Sequence, residues 1–172
     1  MSSFILETER IGLRQFKIED AAAVLDFSSN EDVMRYTGDY IISTIEEAEK
    51  IITDTWFEDY RKYGYGRYAA IYKPENRLIG FAGLKYEPDL KVTDIGYRFL
   101  PEYWRRGIAT EISKAITIYG FEELKLDRIV GVAMPENLAS AKVLEKIGLK
   151  YFKTDSFLGD GGSYLWYEAF KK

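Results

Sequence analysis

Between residues 93 and 122 the chain changes from strand to helix periodicity across a turn that carries two arginines and a glycine. "TDIGYRFL" is an apolar, strand-like run and "PEYWRRGIATE" follows it. Ala109, Ile112, Ile116 and Tyr119 then recur at helical spacing to about Glu122. A strand feeding a helix through so short a turn is an α/β device, and the remaining chain repeats that alternation. "RIGLRQF" alternates as a first strand, and "IEDAAAVLDFSS" follows as a short helix with acidic residues in its first turn. "STIEEAEKIITDTWFEDYRKYG" predicts a longer helix, capped by Ser43 or Thr44 and stopped at Gly64. The strands "RYAAIY", "RLIGFAGLKY" and "TDIGYRFL" come next, the first two joined by the turn "KPENR". After the helix come a strand "RIVGVAM", a helix "NLASAKVLEKIG" ending at Gly148, and a terminal hairpin of "LKYFKTDSF" and "YLWYEAF". The order is β-α-α-β-β-β-α-β-α-β-β, which is an α/β chain of seven strands.

At 172 residues and 47% hydrophobic content, the chain suits one domain spanning 1–172. No Pro/Gly/Ser-rich linker, repeat or low-complexity tract divides it. There is no Cys and no His. Disulfides, thiolate metal sites and a cysteine acyl-enzyme are excluded, together with the commonest metal ligand and general base. The scattered carboxylates have no ligand spacing, so no metal is expected. A net charge of −4 argues against sequence-independent binding to nucleic acid. "MSSFILETER" lacks a basic segment followed by a long apolar core, and no later run has the length to cross a membrane. A soluble, cytoplasmic protein is the default expectation.

The two arginines have a physical reading. The first N–H groups of a helix lack intrahelical partners and its dipole adds partial positive charge, so an anion is stabilised there. Gly107 lets a ligand approach the backbone, Ala109 obstructs little, and Arg105 and Arg106 add charge for phosphate oxygens. The combination suits a pyrophosphate, yet neither G-x-x-x-x-G-K-[ST] nor G-x-G-x-x-G occurs in the chain.

"YWRRGIATE" resembles the acetyl-coenzyme A pyrophosphate loop of the GCN5-related N-acetyltransferase (GNAT) superfamily. "TERIGLR", "IGYRFLPEYWRRGIATE" and "NLASAKVLEKIGLKY" are similar, in that order, to the branch of the ribosomal-protein alanine and serine N-acetyltransferases, the RimJ/RimL-like proteins. The resemblance implies a mixed central sheet of about seven strands with flanking helices, whose "TDIGYRFL" and "RIVGVAM" strands splay apart around the pantetheine arm. It implies that the backbone of Phe99 and Leu100 contacts that arm, and that Arg105, Arg106, Gly107, Ile108, Ala109 and Thr110 surround the pyrophosphate. Asn137 and Ser140 would face the thiol end. A simpler role stands beside each: Asn137 is also a good helix cap, and Tyr97, Phe99 and Trp104 are also ordinary core aromatics.

Acyl transfer to an amine needs a neutral nucleophile, a polarised thioester carbonyl and a stabilised leaving thiolate. Without Cys, direct transfer in a ternary complex is the simplest scheme. Asp94 is the first candidate base, because members resembling this chain often have Glu just before "IGY", and Glu87 is the second. Asp94 reads equally well as a surface residue at a strand start. Many superfamily members have Tyr where this chain has Leu144, and Ser140 is the candidate hydrogen-bond donor to the sulfur instead.

The acceptor is expected to be an amine: a protein N-terminus, a polyamine or an aminoglycoside. Glu31, Asp32 and Asp39 in "SSNEDVMRYTGDY" could attract it, although a solvated loop is the commoner role for such a stretch. Trp166 and Tyr167 could form a homodimer contact, with strand core as the commoner role. Two other classes stand beside the enzyme: a non-catalytic acyl-coenzyme A binding module, and an interaction domain whose loop is empty.

Overall fold

The computed structural model describes residues 3–172; Met1 and Ser2, counted in the expected 1–172 domain, lie outside the described residues. Its strands are β1 (Leu6–Glu7), β2 (Ile11–Arg14), β3 (Arg67–Tyr72), β4 (Arg77–Glu87), β5 (Val92–Phe99), β6 (Arg128–Ala133), β7 (Lys150–Asp155) and β8 (Tyr164–Phe170). They form one sheet in the order β1-β2-β3-β4-β5-β6-β8-β7. Every neighbouring pair is antiparallel except β5 and β6, which run parallel. The sheet is mixed, as the resemblance implied, with eight strands where about seven were expected. The extra strand is β1, whose two residues pair with Gly12 and Leu13 and are too few for alternation to be visible in sequence.

Six α-helices cover the sheet: α1 (Ala21–Ser28), α2 (Glu31–Met34), α3 (Ile45–Ile51), α4 (Glu58–Tyr63), α5 (Ile108–Glu122) and α6 (Leu138–Lys146). The long helix expected over 43–64 is α3 and α4 joined by a π-helical stretch, Ile52–Phe57. Thr44 caps it by accepting the Glu47 N–H at 3.2 Å, and Gly64 ends it in the left-handed region at φ +79°. The turn α2 falls within the stretch read as a loop; four residues are too few to show a helical period, and Asn30 caps it.

Helices α1 to α4 and helices α5 and α6 cover opposite faces. On the first face Phe81 of β4 lies edge-on to Phe27 of α1 and to Trp56 of the π stretch, and Trp56 stacks on Phe16 at 4.0 Å. On the second face Gly120 of α5 lets the helix sit against Leu84 and Ile129, where a Cβ would stand 2.8–2.9 Å from their methyl groups. Leu144 of α6 packs in the same way over Gly131 of β6. The position occupied by Tyr in many superfamily members therefore points here into the core, where Leu144 is 2% exposed.

Candidate active site

Strands β5 and β6 meet at one pair, Asp94 with Val130, and then separate. Beyond that fork β5 keeps its antiparallel partner β4 through Phe99, with Gly80 opposite Phe99 and Ala82 opposite Tyr97. The N–H of Leu100 donates to Ile79 O at 2.9 Å. Along an antiparallel strand alternate residues turn their polar groups to the partner, so the backbone groups of Tyr97 and Phe99 point the other way, into the gap. The Phe99 carbonyl is taken by the Trp104 indole N–H at 2.7 Å. The N–H groups of Tyr97 and Phe99 are left facing the gap.

The gap opens onto the start of α5. A short 3-10 turn, Pro101–Tyr103, reverses the chain, and Arg105 and Gly107 follow in left-handed conformation at φ +60° and +76°. Gly107 adopts that region at no steric cost, whereas Arg105 is strained there by about 1 kcal/mol. Gly107 occupies the cap position of α5 without a side-chain cap, so the first-turn N–H groups of Ile108, Ala109 and Thr110 point outward, uncapped. Arg105 and Arg106 are exposed, and the Arg106 guanidinium lies over the Tyr103 ring.

The first turn also holds an acid, Glu111, which would oppose an incoming anion. Arg10 offsets it: the Arg10 N–H and guanidinium donate to Glu111 at 3.0 and 2.7 Å, and Thr8 donates at 2.6 Å. Burial pushes the Glu111 carboxyl up, but these bonds outweigh it and hold the group below the ordinary glutamate range. Arg10 also donates to the Arg106 carbonyl at 2.8 Å, which fixes the loop against the β1–β2 turn.

At the other end of the gap, Asn137 caps α6 by accepting the Ser140 N–H at 3.2 Å. Ser140 accepts a hydrogen bond from the Tyr97 hydroxyl at 3.3 Å. Asp94 stands at the fork on the α1–α4 face. Arg67 donates to both its carboxylate oxygens, at 3.1 and 3.2 Å, and also to the carbonyls of Gly83 and Asp94. Its guanidinium lies over Gly96, where a Cβ would stand 2.6 Å from Nη2. Glu87 is buried and has neither ion pair nor side-chain hydrogen bond among the described residues. Burial, reinforced by the charge of Asp94, pushes its carboxyl up to about 6.

The structure puts Asp94 at the fork with Glu87 behind it, opposite Val92, and sets Ser140, next to the Asn137 cap, beside Tyr97, with the 105–110 loop following the far end of β5. It ties up two of the three acids expected to attract an acceptor, since Asp32 pairs with Arg35 and Asp39 with Arg98. Sequence reasoning passed over Arg67 and Arg10. The signal for Arg67 was available, because it is the one charge in the apolar run "RYAAIY".

The profile of the Acetyltransferase (GNAT) domain matches residues 10–150. The chain belongs to the GNAT acetyltransferase family. An uncharacterised N-acetyltransferase of Bacillus subtilis, YoaA, is 35% identical over 147 residues, covering 85% of this chain and 82% of that one. A solved GNAT-family acetyltransferase from Bacillus anthracis is 30% identical with a TM-score of 0.79, covering 96% of this chain and 97% of that one. RimL, a ribosomal L7/L12 alpha-N-protein acetyltransferase solved with coenzyme A, has the same fold at a TM-score of 0.82 and 18% identity, covering 98% of both chains. This GNAT protein is accordingly an acetyltransferase with an α/β core of the family type.

Glu87 gives a prediction independent of any ligand. Its folded carboxyl, at about 6 against an ordinary 4.5, binds protons more tightly than the unfolded one, so stability falls as pH rises through that window. Glu87→Gln is expected to stabilise the fold by roughly 1 kcal/mol at pH 7.5, allowing for partial solvent screening, and to give no gain at pH 4. Thermal unfolding of both proteins across pH checks this.

Proposed function

We propose that the protein moves an acetyl group from acetyl-CoA to a primary amine, directly within a ternary complex. The observation that carries the reading is one continuous surface: the unpaired edge of β5 leads into the uncapped start of α5. Along it the N–H groups of Tyr97 and Phe99 suit the amide carbonyls of a pantetheine arm, with Leu100 closing the turn beneath. The N–H groups of Ile108, Ala109 and Thr110 suit a pyrophosphate, Gly107 permits its close approach, and Arg105 and Arg106 complete the charge. Asn137 and Ser140 then stand at the thiol end.

The amine enters from the α1–α4 face, where Asp94 marks the fork. Its proton goes to the Asp94 and Glu87 pair. Arg67 holds Asp94 in place, and Glu87, lacking a hydrogen bond of its own, takes up the proton and passes it to solvent. Because Glu87 accepts a proton only when ionised, turnover is expected to rise with pH through about 6 and then level. The sequence resemblance and the fold shared with RimL make peptides with N-terminal Ser or Ala the first acceptors to try, followed by polyamines.

Calorimetric titration with acetyl-CoA is the direct test. Binding is expected for the parent protein and at least tenfold weaker binding for Arg105→Glu with Arg106→Glu, whose exposed side chains leave the fold unchanged. No binding by the parent would refute the proposal, and binding without turnover of any amine would leave a binding module. In a responsive acceptor assay Asp94→Asn should lose about 100-fold in kcat with acetyl-CoA affinity retained. The same substitution leaves Arg67 uncompensated, so a fall in unfolding temperature should accompany it. Full activity across pH would remove Asp94 as the base.

A further inference from the structure

The departing thiolate is left without an obvious partner in this chain. Leu144 stands where many superfamily members have Tyr, and it packs into the core over Gly131. Ser140 is the remaining donor, yet a lone serine hydroxyl rotates freely and is a weak acid. The geometry around it points to a second group.

We propose that Tyr97 is a positioning residue that acts through Ser140: its hydroxyl donates to Ser140 Oγ and so turns the serine's own hydrogen toward the sulfur at the end of the pantetheine arm. The inference rests on the acetyltransferase reading and deepens it. Three observations support it. The Tyr97 Oη to Ser140 Oγ hydrogen bond, at 3.3 Å, joins β5 to α6 on the α5–α6 side of the gap, past the single pair that ties β5 to β6. Ser140 accepts from Tyr97, and its own hydroxyl hydrogen has no partner among the described residues. The Tyr97 ring is held by Phe99, stacked at 6.0 Å and 14°, and the Asn137 cap fixes the backbone of Ser140. Both ends of the hydrogen bond are thus anchored by contacts that do not involve the hydroxyls.

Burial pushes the Tyr97 hydroxyl up to about 12, against the opposing pull of Ser140, so the phenol stays neutral and remains a donor at working pH. In the step it serves, the amine nitrogen bonds to the acetyl carbon and the carbon–sulfur bond breaks with its electron pair on sulfur. The ammonium proton leaves through Asp94 and Glu87. The thiolate is stabilised by the Ser140 O–H and later takes a proton from solvent, so neither hydroxyl is consumed. Preorganised donors aimed at developing charge are worth about 10²–10³ in kcat at strong sites, and an indirect partner contributes a fraction of that.

The test needs no acceptor. The thiol of bound coenzyme A is titrated through its thiolate ultraviolet absorbance in the parent, Tyr97→Phe, Ser140→Ala and the double variant. Tyr97→Phe retains the stack on Phe99 and removes only the hydroxyl. In the parent the bound thiol is expected to titrate about one unit below free coenzyme A. Each single variant should recover most of that difference, the double variant should recover no more than Ser140→Ala alone, and coenzyme A affinity at neutral pH should change less than twofold. A parent-like titration in Tyr97→Phe, or a further shift when it is added to Ser140→Ala, would overturn the inference and leave the acetyltransferase reading intact. Failure of the parent to bind coenzyme A would overturn both.

Discussion

The active surface depends on a strand that gives up one partner after a single pair. A backbone N–H removed from both water and a partner costs about 1–3 kcal/mol, so strands in the middle of a sheet normally keep both neighbours. Here β5 pairs with β4 along its whole length and with β6 only at Asp94 and Val130. The open edge is tolerable because it is short, faces a gap and has one carbonyl filled by Trp104. A ligand with amides along its length would complete what β6 leaves undone.

The fork stays open because each arm is tied elsewhere. Arg67 joins β3, β4 and β5 by reaching Gly83 and Asp94, and it can lie flat only because residue 96 is glycine. Breaking such a buried pair by removing one partner costs about 3–5 kcal/mol, which gives Asp94 a structural role whatever its chemistry. On the other arm β8 enters between β6 and β7, so β6 is fully paired on its far side. The helix proposed to receive the pyrophosphate is tied down by Arg10, which pairs with Glu111 and holds the Arg106 carbonyl. The charge at that turn is therefore set by a residue nearly a hundred positions away.

Much of this was legible in the sequence, and the missing parts share a cause. Periodicity placed a strand over 93–100 and a helix from 109 to about 122, against 92–99 and 108–122 in the structure, and capping preference marked Asn137, because each depends on neighbours within a few residues. The left-handed conformation at Gly107 was not read from the sequence, where the residue stood out only for leaving room at the backbone. The two-residue β1, the turn α2 and the π stretch at Ile52–Phe57 were not legible, since each is too short or too irregular to display a period. The order of the strands, and with it the place of β8 beside β6, is a matter of long-range pairing. So are the partners of Arg67, Arg10 and Tyr97. Tyr97 looked like any core aromatic until the structure set its hydroxyl beside Ser140.

In the proposed enzyme the β5 edge and the α5 start form one ligand surface. Amide hydrogen exchange, resolved by residue with and without coenzyme A, tests it most directly. Slowed exchange is expected at Tyr97 and Phe99 together with Ile108, Ala109 and Thr110, with little change on the edge strands β1 and β7. Slowing at the helix start alone, or at neither segment while coenzyme A is bound, would contradict it.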